Sequence, residues 1–328
     1  MPEDGRVAVA RRVLFPPRRG GTAPCLGDVS CIQSTLRYSG IASSQPKKSC
    51  PPLGYIIPHM AQASPVSPAF PILLAPAGSL PAVEAALSAG ADAVYVGVRS
   101  LSRGGRAGLP LESIGTAVSV CRRAGALLHA AVNAIPPTGE LPAFLASLRR
   151  LRDAGIDEVI LNDPGAVALV RRELPGLPIC ASVGLSVMNP EDARAYRELG
   201  ADAVVLPSAV RPEEIPPIKR ASGLRIEVFA HCRPEFLLHG KCGLTGYAVE
   251  GAGGGTASAK RGGSCRFVCR SLPVPAAAHS LVDELPVWIA AGADVFKIEG
   301  RELPPPAVAA LTARFREKLD AARAPSAG

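Results

Sequence analysis

Four short segments of this chain are variations on one phrase: AGADAVYVG (89–97), AGIDEVILN (154–162), LGADAVVLP (199–207) and AGADVFKIE (291–299). Each places Gly, one residue, then Asp ahead of an apolar run. Glycine suits the left-handed residue that ends a helix, and an apolar run of four to six residues is what a parallel strand covered on both faces requires. The phrase predicts a helix end turning into a buried strand. Its recurrence predicts a fold assembled from repeated βα units.

Filling the intervals gives strands near 72–75, 92–97, 127–133, 157–162, 178–182, 203–206, 225–230 and 294–298. Helical patterns lie near 80–89, 111–124, 140–154, 164–173, 190–199, 212–221, 282–291 and 305–323. Eight strands alternating with eight helices predict a closed (β/α)8 TIM-like barrel. An open doubly wound sheet would usually carry G-x-G-x-x-G after its first strand, where this chain reads APAGSL. The glycine-rich GAGGGTASAKRGG (251–263) matches neither that fingerprint nor a P-loop.

The barrel is expected over residues 69–328. Residues 1–68 mix Pro, Gly, Ser and Arg without periodicity and read as a disordered leader, or as a misassigned start upstream of Met60. Residues 1–60 hold eight Lys/Arg against three Asp/Glu, so five of the chain's eight net positive charges sit there. The remainder does not call for a nucleic-acid surface, and AKRGG (259–263) reads as a solvated loop. RNA is not excluded as a partner. No apolar stretch approaches the roughly 18 residues of a membrane span, and no secretory h-region follows the leader, so a cytoplasmic protein is expected.

The chain has nine cysteines. Cys232, Cys242, Cys265 and Cys269 fall in about fifty residues, 232–275 at their core, that replace the short loop after the seventh predicted strand. In a barrel of this kind the carboxyl ends of the strands carry the chemistry, and loops that long are functional or disordered. Four thiolates there suit an iron–sulfur cluster, with zinc as the alternative and free thiols as the blander one. Only Cys265 and Cys269 form a close pair, which weighs against a zinc ribbon with two knuckles. Cys180, in the fifth predicted strand, is the reserve ligand should Cys232 not serve.

ILLAPAGSL with AGADAVYVG, then EVFAHC, GKC and GGSCRFVCR, then FKIEGRE before a final basic helix, together resemble the collagenase-like peptidases of family U32. The resemblance runs over about residues 71–323. It implies a (β/α)8 barrel. Several family members are similar to oxygen-independent hydroxylation proteins that hold a four-iron cluster on four cysteines and act on quinone precursors or RNA bases, with prephenate implicated as co-substrate. Others are known as proteases. The chain departs from the family pattern where Glu235 stands at the usual place of the first signature cysteine. Ser208 and Ala209 replace an Arg-Glu pair, Ser182, Val183 and Gly184 replace Ser-Thr-Gln, and RAGL (106–109) stands without the usual Asn-Phe.

Period two on the seventh strand puts Glu227, Phe229 and His231 on one face, so Glu227 and His231 are candidates for proton transfer or substrate binding. Lys297 and Glu299 share a face of the last strand, and Arg301 just beyond suits a carboxylated substrate. A salt bridge closing the barrel is the competing reading. Arg103 and Arg106 are anion-binding candidates, and Asn133 and Asn162 end the third and fourth strands as ligand contacts or turn formers. Cys121, His129, His279 and Trp288 read as structural. No G-x-S-x-G or H-E-x-x-H occurs, and neighbours such as His231 and Cys232 face opposite ways on a strand, which leaves a peptidase in second place. The expected reaction is an oxygen-independent hydroxylation of a small aromatic or a nucleobase. A noncatalytic iron–sulfur subunit paired with a related U32 chain is the third reading.

Overall fold

The structure is a computed structural model and describes residues 71–102, 107–232 and 279–323. The leader, Arg103, Arg106, Cys242, Cys265 and Cys269 lie outside the described residues. Eight parallel strands close into a barrel: β1 (Ile72–Ala77), β2 (Ala93–Gly97), β3 (Leu127–Val132), β4 (Glu158–Leu161), β5 (Ile179–Ala181), β6 (Ala203–Val205), β7 (Arg225–Cys232) and β9 (Val295–Ile298). Each strand pairs with the next, β7 pairs with β9, and β9 pairs with β1. A ninth element, β8 (His279–Ser280), runs antiparallel to the end of β7. The barrel itself therefore matches the eight strands expected.

Around it lie α1 (Leu80–Ser88), α2 (Ile114–Arg123), α3 (Leu141–Asp153), α4 (Pro164–Glu173), α5 (Pro190–Leu199), α6 (Ile215–Ser222), α7 (Leu285–Ala290) and α8 (Pro305–Arg323). Proline occupies one of the first two positions of α1, α3, α4, α5, α6 and α7. A first-turn residue needs no N–H, and the fixed φ of proline is already helical there, so proline starts these helices where it would break their middles. Asp163 and Asn189 cap α4 and α5 through their side chains.

The repeated phrase has a structural cause that reaches past its glycine. Gly90, Gly155, Gly200 and Gly292 all adopt positive φ, as the helix-end reading requires. The aspartate two residues later then reaches sideways. Asp92, Asp157, Asp202 and Asp294 each accept the backbone N–H of the neighbouring strand at Leu73, Leu128, Ile179 and Ile226, at 2.8–2.9 Å. Each also meets one cation from a surrounding helix: Arg316, Arg122, Arg171 and Lys219, respectively. The aspartates before β2, β4, β6 and β9 thus tether the starts of β1, β3, β5 and β7, respectively. The barrel is four two-stranded units, clasped at the amino ends of the strands.

Two apolar clusters follow from strand alternation. Residues such as Leu73, Val94, Leu128, Val159 and Phe296 face outward against the helices, while Leu74, Ala93, Tyr95, Ala131, Ile160, Cys180, Ala203, Val205 and Val295 face inward. Trp288 is buried in α7, as expected.

Candidate functional site

The barrel interior is not wholly apolar. His129, Glu158, Glu227 and Lys297 are buried, and the Arg225 side chain is 19% exposed. Lys297 Nζ lies 3.3 Å from Glu227 Oε2. Arg225 donates to the Glu158 carboxylate and lies 4.0 Å from Glu227, and His129 Nδ1 is 3.1 Å from Glu158. Burial alone would raise the Glu158 pKa, but Arg225 and His129 outweigh it and hold the carboxyl at about 2. Burial works to lower the Arg225 pKa, yet Glu158 and Glu227 raise it overall, so the guanidinium stays charged. Two carboxylates are balanced by two cations.

His129, Glu158 and Glu227 could bring one ligand atom each within 4.8 Å of one another. A divalent ion at that point would add two positive charges to a set that Arg225 and Lys297 already neutralise. The cluster is better read as a self-compensated ionic layer. The contact between Glu227 and Lys297 joins two site candidates that the sequence had placed on separate strands without pairing them.

Above this layer the strands end. Tyr95 donates its hydroxyl to Ile298 O at 3.0 Å, with Lys297 Nζ 4.7 Å and Arg301 Cζ 5.8 Å from its ring centroid. Burial, the largest influence, pushes its phenol well above the ordinary range. Arg301 enters this space because two neighbours have no side chain. A Cβ on Gly78 would stand 2.0 Å from Arg301 O, and one on Gly97 would stand 2.6 Å from Arg301 Nη1 and 2.7 Å from Ser102 Oγ. Arg301 Nη1 and Ser102 Oγ are buried without a hydrogen-bond partner, and so are both amide atoms of Asn162. Glu299 sits at the end of β9, its N–H donating to His231 O at 2.7 Å.

His231 is a correction. Strict alternation would aim it inward with Glu227 and Phe229, but the β7–β9 register shifts between Phe229 and His231. One extra residue exchanges the faces. His231 meets Phe315 of α8 edge-on, with centroids 6.3 Å apart, on the helix side of the barrel. Burial and then Arg314 lower its pKa. The same bulge turns Cys232 toward Ser208 and Glu299; burial first and Glu299 second push its thiol up to about 12, against a hydrogen bond with Ser208. His231 and Cys232 form no dyad.

Cys232 is buried at the carboxyl end of β7, and its partner across the β7–β8 ladder is His279. The two ends of the cysteine-bearing segment are thereby pinned side by side at the barrel mouth. Cys180 lies lower, inside the barrel, where burial, Glu227 and Glu158 raise its thiol well above its ordinary value. Of the two, Cys232 is the one beside His279, where the described chain resumes.

Sequence reasoning placed Glu227, Lys297, Glu299, Arg301 and Asn162 at the barrel and missed Tyr95, Ser102, Glu158 and Arg225. A signal existed for the last two. Glu158 and Arg225 each begin an apolar strand on the inward period, where a charge demands a partner.

Comparison with known proteins follows this geometry. The sequence profile of Peptidase family U32 matches residues 78–272, more than half of the chain and a span within which the four clustered cysteines fall. The tRNA hydroxylation protein P of Escherichia coli is 31% identical over 54% of this chain and 40% of its own length. The 23S rRNA 5-hydroxycytidine C2501 synthase of the same organism is 29% identical over 76% of this chain and 39% of its own. A collagenase of Porphyromonas gingivalis is 25% identical over 76% and 65%, respectively. The chain spans less than two thirds of each of these relatives. The solved U32 peptidase Mk0906 superposes with a TM-score of 0.50 at 17% identity, covering 72% of this chain and 95% of that one, and so supports the barrel. The chain belongs to peptidase family U32.

Proposed function

We propose that this chain takes part in the oxygen-independent hydroxylation of a nucleobase in RNA, with a 4Fe-4S cluster on Cys232, Cys242, Cys265 and Cys269. The observation that carries the reading is the family match, which runs from the first barrel unit through all four cysteines. Relatives named for tRNA and rRNA hydroxylation move the balance from a free aromatic molecule toward a base. The described residues fit a cluster at one point: Cys232 is held at the barrel mouth beside the stem of the segment that bears the other three thiols. Its high thiol pKa means that a metal, not the surroundings, would have to displace the proton. Such a cluster would supply electron transfer.

The chain's own residues would do the rest. Arg301, anchored over Tyr95, places a cation where the strands end and suits the carboxylate of a co-substrate, for which the resemblance names prephenate. Glu227 in the ionic layer beneath holds Lys297, whose ammonium lies against Tyr95. No described helix is long and apolar enough to cross a membrane. The peptidase alternative has the collagenase relative behind it. Among the described residues Cys232 and His231 lie on opposite faces, so that pair does not supply a nucleophile with its base.

The test has two arms. Anaerobic full-length protein should hold about four iron and four sulfide per chain, lost in Cys242→Ala or Cys269→Ala. Inactivating the gene in its host should remove a hydroxylated pyrimidine from digested tRNA or rRNA by mass spectrometry. Zinc in place of iron would sink the cluster, and an unchanged nucleoside profile would sink the RNA reading.

A further inference from the structure

Asn162 is the least explained polar side chain in the barrel. It follows β4 directly and is 1% exposed, and neither its amide nitrogen nor its amide oxygen has a hydrogen-bond partner. A turn-forming role does not account for it. The turn into α4 is capped by its neighbour Asp163, whose Oδ1 accepts the Ala166 N–H at 2.7 Å. Continuing the inward alternation of Glu158 and Ile160 puts Asn162 on the barrel axis, at the carboxyl end. A buried amide left unpaired weakens the fold unless something else supplies its partners.

An amide offers one donor beside one acceptor in a plane. Uracil presents N3–H beside the O4 acceptor, and cytosine presents an N4–H donor beside the N3 acceptor, so a flip of the amide matches either ring. An enzyme that works on a base must take it from its stack into a pocket and read that edge. We propose that Asn162 recognises the hydrogen-bonding edge of a base at the barrel mouth, a pyrimidine like the cytidine named for the rRNA relative. This rests on the reading of the substrate as a nucleobase. Ser102 Oγ and Arg301 Nη1, likewise buried and unpaired, are the other donors at the strand ends. They suit the oxygen atoms of a substrate more than its ring edge, since neither offers a donor and acceptor in one plane.

The experiment compares full-length wild type with Asn162→Leu and Asn162→Asp, by thermal unfolding and by titration with uridine 5′-monophosphate, cytidine 5′-monophosphate and base-free ribose 5-phosphate. Wild type should prefer at least one pyrimidine nucleotide over ribose 5-phosphate by tenfold or more. Asn162→Leu, which nearly keeps the shape and removes the unpaired amide, should melt at the same temperature or higher and lose that preference. Asn162→Asp, with acceptors where a donor is required, should lose it too. A lower melting temperature for the leucine variant would make the amide structural and overturn the proposal. A preference that survives in both variants, or is missing from wild type, would overturn it as well. The nucleoside profile of the inactivated host separates the two readings: if it is unchanged while the base preference holds, the hydroxylation reading fails and the recognition stands. If it changes without any base preference, Asn162 drops out and hydroxylation remains.

Discussion

The two ends of this barrel treat buried polar groups in opposite ways. At the amino ends and in the layer above them, charges come in matched sets. Four aspartates each hold a backbone N–H and a helix cation, and Glu158 and Glu227 face Arg225 and Lys297. Some atoms there miss hydrogen-bond geometry, such as Glu227 Oε1, but Arg225 stands 4.0 Å from that oxygen. At the carboxyl ends, Asn162, Ser102 and Arg301 Nη1 are buried and unmatched. Compensated polarity serves the fold, and the uncompensated atoms at the mouth are the ones to which the proposed substrate is assigned. The division agrees with the usual split of labour between the two faces of such barrels.

The largest break in that contrast would come from the lower layer. Arg225→Met strands the buried Glu158 carboxylate and removes the second cation near Glu227, so a loss of about 3–5 kcal/mol is expected in urea unfolding. Adding Glu158→Gln to the same protein should recover much of it, because the cost lies in the orphaned charge more than in the missing contact. Equal losses in the single and double variants would show that Arg225 acts through its packing alone.

Acid sharpens the same point. The folded-state pKa of Glu158, about 2, lies below its ordinary value, so the ionised form favours the fold. Its contribution is fully present above about pH 4.5 and is lost as pH falls toward 2. Stability measured by urea titration should therefore drop across that window, and Glu158→Gln should flatten the drop. A variant whose acid limb is as steep as wild type would place the titration on other carboxylates.

Much of this fold was legible because its repeat states local physics. Gly at the helix end and a short apolar run each act within a few residues, and the eight strands fall where the phrase and its intervals put them. The lateral role of Asp92, Asp157, Asp202 and Asp294 was hidden, since each acts on a strand that comes before it in the chain. The ionic layer was hidden for a related reason: Lys297 and Glu227 are seventy residues apart, and only closure of the barrel makes them neighbours. His231 was misplaced by one residue of bulge. Period two holds only while pairing is regular, and Ala230 carries no sequence mark of the irregularity. Asn162 and Arg301 were visible as polar residues at strand ends, but their lack of partners is a property of the packed mouth.

The smallest expected effect tests the other end of the barrel. Ser102 is 6% exposed, and its hydroxyl has no hydrogen-bond partner. Ser102→Ala removes a group that contributes nothing to the fold beyond the cost of its own desolvation, so stability should hold or rise by at most about 1 kcal/mol. That corresponds to a melting shift of about 2–4 °C or less for a domain of this size. The same change should weaken substrate binding, since the hydroxyl and Arg301 Nη1 both approach the space that Gly97 leaves open. A loss of several kcal/mol on deleting this one oxygen would show that the mouth, too, is held together by its polar groups, and the contrast between the two ends would collapse.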